Sequence, residues 1–394
     1  MAKICFIASS LFTMGGEQRV TAVIANELVK NNQIIAYTMD EEPDKQNNPY
    51  QVDPRIEIRK IRQPEFPLAG RIVRRMIREV NERTRLLYKR EFCYNLLEYA
   101  YFCKAWQKQM IQELSGERYD VMIAVSGGNT IRLGLIADKL DCDKTVGWEH
   151  NAYEAYFETK GLYFWHMDQL FGRSIRKLDH CVVLNNYISQ KYQEAFGRKC
   201  DVIYNPRSFV SEHKSSLNNK KFVACGRCIR QKGFDLLLES FHLFAEKESE
   251  WTLTIVGDGD MRSQLEEQIE RYHLKDRVTI TGYTKEVKKY LLDASVYLLS
   301  SRWEGFPMVL TEAFEMGIPV VSYNITAIEP LITEGREGYL AESYDVRKFA
   351  DRMLEMTELS QKDRQRMAAY AIEKADSLAV ERIIEQWKNL LKAD

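Results

Sequence analysis

The sequence predicts an α/β protein made of two doubly wound, Rossmann-like domains that face a central cleft. Three observations carry this. The chain has 394 residues, which fits two domains at roughly 100–200 residues each. Short apolar runs alternate with helical patterns, and this argues for parallel sheets covered on both faces. The alternation stops at Asn205-Pro206, passes through the polar, turn-rich segment SEHKSSLNNKK and restarts at Phe222. Such a stretch is a linker.

In the first half, strands are expected at 3–8, 34–38, 120–125, 144–148, 180–184 and 201–204, with helices at 17–30, 130–140 and 187–196. A Gly15-Gly16 turn separates the first strand from the first helix. In the second half, strands are expected at 222–225, 251–256, 278–281, 296–299, 319–323 and 338–340. The helices between them fall at 234–246, 261–272, 287–292 and 308–316, and the last 50 residues are helical. In a doubly wound domain, ligands bind at the carboxyl ends of the strands.

Composition narrows the class. With 45% hydrophobic and 29% charged residues the chain can bury a large core. Its 56 Lys and Arg against 57 Asp and Glu exclude a globally basic nucleic-acid coat or an acidic tail protein. No run approaches the ~18 apolar residues of a membrane span. The opening MAKICFIASSLF resembles a short signal sequence, but it leads straight into a Gly turn and an amphipathic helix, so a first strand explains it better. Eight scattered cysteines fit a reduced, intracellular protein rather than a disulfide framework.

Three segments carry chemistry. In SRWEGFPMVLTEAFEMGIPVV, from Ser300, Glu304 and Glu312 are separated by seven residues, with a Gly305-Phe306-Pro307 turn between them. Proline at the first helical position is pre-organised for a helix, and the amides of Met308, Val309 and Leu310 would then offer an anion site. Two solvated glutamates on a helix are the bland alternative. In CGRCIRQKG, 225–233, Arg227 and Lys232 flank a loop between a strand and a helix, where a diphosphate would sit. Arginine can bind two phosphate oxygens at once and lysine adds a compact charge. A basic loop alone is also consistent with simple solvation. VGDGDM, with Gly257, is a third strand-to-helix turn.

Together these segments resemble the retaining glycosyltransferases of the GT-B fold with a Glu-x7-Glu motif (family 4, glycosyl transferases group 1). The match follows motif order from Phe222 to Gly338 and is thinner in the first half, through MGGEQRV and WEHNAY. The resemblance implies that the last helix returns to the first domain. The expected domains are then 1–205 with 376–394, binding acceptor, and 206–375, binding a nucleotide sugar. It implies transfer of a hexose or N-acetylhexosamine from a nucleotide-sugar donor, UDP-linked on family frequency, with retention and without metal or cofactor. Arg227 and Lys232 would hold the diphosphate, Glu304 the donor sugar and Glu312 the ribose. Gly282 and Tyr283 would lie near the base, and Gly257 and 305–310 along the donor. Gly15 and Gly16 would let the first loop approach the diphosphate, and His150 would reach the donor sugar. Arg227, Lys232, Glu304 and His150 are thus the catalytic candidates. Domain closure would assemble the site and exclude water.

A non-catalytic sugar-nucleotide-binding protein, an epimerase and a phosphorylase share the fold and stay open, although no pyridoxal-phosphate lysine site is evident. Asp258-Gly259-Asp260 spells a cation-binding pattern of another glycosyltransferase fold, yet lies in a Gly turn. Cys225 and Cys228 lack the second ligand pair a zinc site would want.

From Arg55 to Arg90 there are twelve Lys and Arg against four Glu. From Arg71 the pattern is helical. Ile72, Val73, Met76, Ile77, Val80 and Leu87 form an apolar stripe, with Arg71, Arg74, Arg75, Arg78, Arg85 and Lys89 on the other side. Such a helix can lie on an anionic membrane surface, line a channel for a diphosphate-linked acceptor, or be solvated. The expectation is a cytoplasmic enzyme attached peripherally to the inner face of the membrane, acting on a lipid-linked oligosaccharide, with Arg71, Arg74, Arg75 and Arg78 as contacts. A soluble or protein acceptor is the alternative. Nucleic-acid binding is not expected.

Overall fold

The computed structural model describes residues 1–39, 48–62, 64–84, 86–87 and 91–392. The chain divides into two compact units, Met1–Tyr204 with Val380–Asp394, and Asn205–Ala379.

Unit 1 is built on a parallel sheet of β1 (Lys3–Ile7), β2 (Gln33–Thr38), β3 (Glu57–Lys60), β4 (Tyr119–Val125), β5 (Cys142–Trp148), β6 (His180–Val183) and β7 (Asp201–Val202). The strand order is β3-β2-β1-β4-β5-β6-β7. Its helices are α1 (Gly16–Leu28), α2 (Leu68–Arg83), α3 (Glu91–Phe102), α4 (Lys104–Leu114), α5 (Gly127–Ile136), α6 (Tyr153–Phe157), α7 (Asp168–Ile175) and α8 (Asn186–Phe196). Strands β1 and β4 pair with Ile4 opposite Val121, and both are apolar over nearly their whole length because helices cover both faces. The order reverses between them, which creates a crevice at their carboxyl ends.

Unit 2 repeats the plan with β8 (Lys221–Cys225), β9 (Thr252–Val256), β10 (Val278–Ile280), β11 (Val296–Leu299), β12 (Val320–Tyr323) and β13 (Gly338–Ala341). Their order is β10-β9-β8-β11-β12-β13. Helices α9 (Phe234–Ala245), α10 (Arg262–Arg271), α11 (Val287–Asp293), α12 (Met308–Glu315), α13 (Val346–Glu358) and α14 (Gln361–Ser377) surround the sheet. The reversal here falls between β8 and β11, where Phe222 pairs with Val296.

The last helix, α15 (Val380–Leu391), belongs to unit 1. Ile383, Ile384 and Trp387 form its buried face. The Trp387 ring stands edge-on to Trp148, 4.7 Å between centroids, and Lys144 Nζ donates to the Leu390 carbonyl at 3.1 Å. The second contact places a cation on the orphan carbonyls of a helix end.

One expectation, that Arg74 and Arg78 of α2 contact a membrane, is corrected by the packing of this helix. Arg74 and Asn81 are its buried residues, and Leu68, Ile72, Val73, Met76 and Val80 are exposed. Arg74 Nε donates to the Ala100 carbonyl at 3.1 Å, and Arg78 donates to the same oxygen at 2.9 and 2.7 Å. Ala100 lies in the last turn of α3, whose carbonyls lack helical partners, so two guanidinium groups one turn apart cap that end. The guanidiniums also lie over the Phe66 and Tyr101 rings, at 4.2 and 5.2 Å. Arg74 and Arg78 are therefore internal contacts, not membrane contacts, whereas Arg71 and Arg75 remain exposed. Arg85 and Lys89 lie outside the described residues.

This packing predicts that Arg78→Ala costs about 1–3 kcal/mol, the scale of losing a charged hydrogen bond to a buried carbonyl. The measurement is chemical denaturation with amide exchange, and faster exchange confined to 68–83 and the end of α3 is the expected pattern.

Candidate functional site

The crevice of unit 2 is framed by two loops, 226–233 after β8 and 300–307 after β11, the strands on either side of the reversal. The first loop ends in a 3-10 turn, Arg230–Lys232, stopped by Gly233 in the left-handed conformation (φ 64). A Cβ on Gly233 would lie 2.1 Å from the Ser300 carbonyl oxygen, so only glycine lets the two loops touch. Ser300 Oγ donates to the Lys232 carbonyl at 2.9 Å and Arg302 N donates to the Gln231 carbonyl at 2.7 Å.

That closeness brings Lys232 and Glu304 together. Lys232 Nζ donates to Glu304 Oε1 at 2.7 Å, with the carboxylate side chain 7% exposed. Ser301 Oγ donates to the same oxygen at 2.6 Å and Gln231 Nε2 approaches Oε2 at 3.4 Å. A carboxylate removed from water needs a paired charge and further donors, and this one has both. Behind it, Arg302 forks onto Asp235 at 2.7 and 2.6 Å and tethers the second loop to the start of α9. Gln231, Ser301 and the Arg302–Asp235 pair were not singled out from sequence. Arg227 lies exposed on the first loop.

After Glu304, Gly305, Phe306 and Pro307 are buried and lead into α12. Pro307 is the residue before the first helical position, not the first itself, and Met308 begins the helix. The Leu310 amide donates to the Pro307 carbonyl at 2.9 Å. Of the three expected anion-binding amides, Leu310 is therefore engaged by a tight first turn, while Met308 and Val309 lie in the segment whose amides lack helical acceptors. Glu312 is buried one turn on. With burial itself, it helps push the nearby Cys225 thiol far up.

A third loop, 257–261, zips against the first. Gly257 has φ 154, and a Cβ there would come within 1.8 Å of the Gly226 carbonyl oxygen. Cys228 N donates to the Asp258 carbonyl at 2.8 Å and Met261 N donates back to Cys228 at 2.9 Å. Gly257 bridges Gly282, and next to it the Tyr283 ring is exposed at the end of β10. Asp258 accepts from Arg262 at 3.3 Å. Cys225 and Cys228 are buried thiols, and burial pushes Cys228 up to about 11, which suits packing rather than reactivity. Among the described residues, no three His, Cys, Asp or Glu side chains stand together to hold a metal ion.

Unit 1 has its own crevice between β1 and β4. Gly15 there donates to the Tyr50 hydroxyl at 2.7 Å and accepts from it at 3.0 Å. Gly16 opens α1, and the next residue, Glu17, hydrogen-bonds Ser126, which precedes α5. His150, after β5, is buried 4.4 Å from the Trp148 ring, and burial pushes it down to about 3, so it is neutral at ordinary pH. Beside it Glu149 is buried, with the Thr130 hydroxyl donating to Oε1. Burial outweighs its hydroxyl partners and raises it to about 7, and burial likewise raises Glu17 to about 7. Neither carboxylate was singled out from sequence, although WEHNAY contains the first and MGGEQRV the second.

These shifts set a pH dependence. A carboxyl with a folded pKa near 7 and an ordinary value of 4.5 stabilises the native state fully below pH 4.5, and loses that contribution as pH rises through 7. Glu149→Gln is expected to raise the melting temperature at pH 8 and to change it little at pH 5. An equal change at both pH values would show that Glu149 does not titrate in this range.

Residues 207–374 match the family model Glycosyl transferases group 1. A Haemophilus influenzae protein described as an uncharacterized glycosyltransferase is 25% identical over 99% of this chain and 100% of its own length. The amylovoran biosynthesis glycosyltransferase AmsD of Erwinia amylovora is 28% identical over 57% of this chain and 67% of its own. Among solved structures, TarM superposes with a TM-score of 0.77 at 16% identity, covering 100% of this chain and 99% of its own. Anabaena HepE, solved with UDP and glucose, gives 0.71 at 18% identity and 99% of both chains. The chain thus has the two-domain GT-B fold, and residues 207–374 are similar to the Glycosyl transferases group 1 family.

Proposed function

We propose that the protein is a retaining, metal-independent glycosyltransferase that moves a hexose or N-acetylhexosamine from a UDP-sugar to a lipid-linked glycan, attached to the inner face of the cytoplasmic membrane. The observation that carries this is the ion pair of half-buried Lys232 with buried Glu304 at the reversal of the unit 2 sheet. A cation and a carboxylate fixed side by side suit a ligand with a phosphate beside a polyol. The UDP reading draws support from HepE, solved with UDP and glucose. The surface-glycan reading draws support from AmsD and from the Staphylococcus aureus poly(ribitol-phosphate) alpha-N-acetylglucosaminyltransferase, 28% identical over 48% of this chain and 40% of its own.

In this reading the diphosphate lies against Arg227, Lys232 and the first amides of α12. Glu304 accepts from sugar hydroxyls and Glu312 from the ribose. The bond from the anomeric carbon to the diphosphate breaks, and the negative charge that builds on the leaving oxygen is met by Lys232 and Arg227. Fixed positive groups need no reorganisation as charge develops. The acceptor oxygen attacks the same face through an oxocarbenium-like state, and its proton passes to the departing phosphate. His150, neutral and with Nε2 unbonded among the described residues, suits a neutral sugar hydroxyl better than a phosphate. Because the arginine, the lysine and the amides supply the positive charge, the proposed step needs no metal.

Lys232→Ala and Glu304→Ala are each expected to lower turnover at least ~100-fold, the scale of losing one preorganised electrostatic contact. The readout is proton NMR of UDP-sugar consumption in the presence of a chelator, with the anomeric configuration of the product matching the donor. Near-full activity in either well-folded variant, or an inverted product, would overturn the reading.

A further inference from the structure

Helix α2 presents its apolar side to solvent. Leu68, Ile72, Met76 and Val80 follow one another at four-residue intervals and therefore form one row, with Val73 beside them. These five side chains are between 39% and 70% exposed. Leu86, and Leu96 and Tyr99 on the neighbouring α3, are also exposed, so most of the large exposed apolar residues of the described chain fall between 68 and 99. A monomeric soluble protein rarely leaves such a concentration bare without a partner for it. The opposite side of α2 is occupied, with Arg74 and Arg78 on Ala100 and Asn81 paired with His166 through a 2.8 Å contact. The helix cannot turn its stripe inward without breaking that cap.

Charge identifies the partner. Arg71 and Arg75 are exposed along one edge of the stripe. Leucine, isoleucine, methionine and valine side chains edged by arginine match a bilayer with anionic headgroups, the aliphatic groups entering the acyl region and the guanidiniums staying at phosphate level. A second copy of the chain fits less well. Two such faces in a two-fold contact would bring Arg71 and Arg75 close to their own duplicates, and one helix face offers less than the roughly 800 Å2 per partner of a stable interface.

We propose that the outward face of α2 is a membrane-docking surface, with Leu68, Ile72, Val73, Met76 and Val80 inserted into an anionic leaflet and Arg71 and Arg75 on its phosphates. This names the surface for the membrane attachment proposed above and replaces Arg74 and Arg78, which face inward, with the apolar row as its contacts. It rests on that reading for its purpose, while docking itself can be measured without any transfer reaction.

The test is flotation of the full chain with vesicles of phosphatidylglycerol and phosphatidylethanolamine. Wild type is expected to float, and the double variant Ile72→Glu, Met76→Glu is expected to bind at least ~10-fold more weakly, since each aliphatic side chain gains from leaving water for the acyl region. Arg71→Glu with Arg75→Glu is expected to weaken binding in low salt and to matter less as salt is raised. All four positions are exposed, and unchanged circular dichroism verifies folding. Wild type that fails to float, or an Ile72, Met76 variant that floats like wild type, overturns the proposal. So does a wild-type dimer that the same variant converts to monomer with vesicle binding unchanged, which would assign the face to a second copy. Donor consumption measured without vesicles separates the two readings. Lost flotation with consumption intact leaves glycosyl transfer standing, and flotation without consumption of any nucleotide sugar counts against the transfer reading alone.

Discussion

Glu304 is a carboxylate taken out of water, and the arrangement of unit 2 around the sheet reversal follows from the need to compensate it. Its partner must be a cation on a loop that approaches within hydrogen-bond reach, and Lys232 meets this because Gly233 lets that loop touch the Ser300 backbone. Ser301 and Gln231 add donors, and Arg302 on Asp235 fixes the loop that carries the carboxylate. Removing one member would leave a buried charge unmatched, which costs more than the pair contributes as a whole. The same contacts that stabilise the loops therefore hold a cation and an anion at fixed positions beside the start of α12.

Unit 1 meets the same topological constraint with different chemistry. Its sheet also reverses, between β1 and β4, and the loops there bring Glu17 to Ser126, while Glu149 lies behind at the end of β5. Here burial is not answered by a cation, so the carboxyls rise toward neutrality and His150 is held uncharged. One crevice thus holds a paired cation and carboxylate, and the other holds carboxyls raised toward neutrality by burial.

Legibility in the sequence followed how much each element depends on its own residues. Strands such as β1, β4 and β11 are nearly continuous apolar runs because both faces are covered, and they stand out. β3, Glu-Ile-Arg-Lys at the sheet edge, does not, since an edge strand carries charge where a central one cannot. The loops bearing Lys232 and Glu304 were marked by Gly and Pro punctuation. Ser301 and Gln231 were not, because a short polar side chain carries no pattern until a neighbour gives it a role. Periodicity identified α2 as amphipathic and offered Arg74 and Arg78 as membrane contacts, without settling which side faces inward. Which side faces inward depends on the Ala100 carbonyl of a different helix, which accepts from both arginines and lies outside the window any pattern can read.

The most direct test of the central claim is titration calorimetry of UDP, GDP, ADP and uridine into the protein with a chelator present. The account predicts that UDP binds, that uridine binds much more weakly because it lacks the diphosphate, and that Lys232→Ala brings the two closer together. Equal affinity for UDP and uridine, or UDP binding that disappears with the chelator, would contradict it.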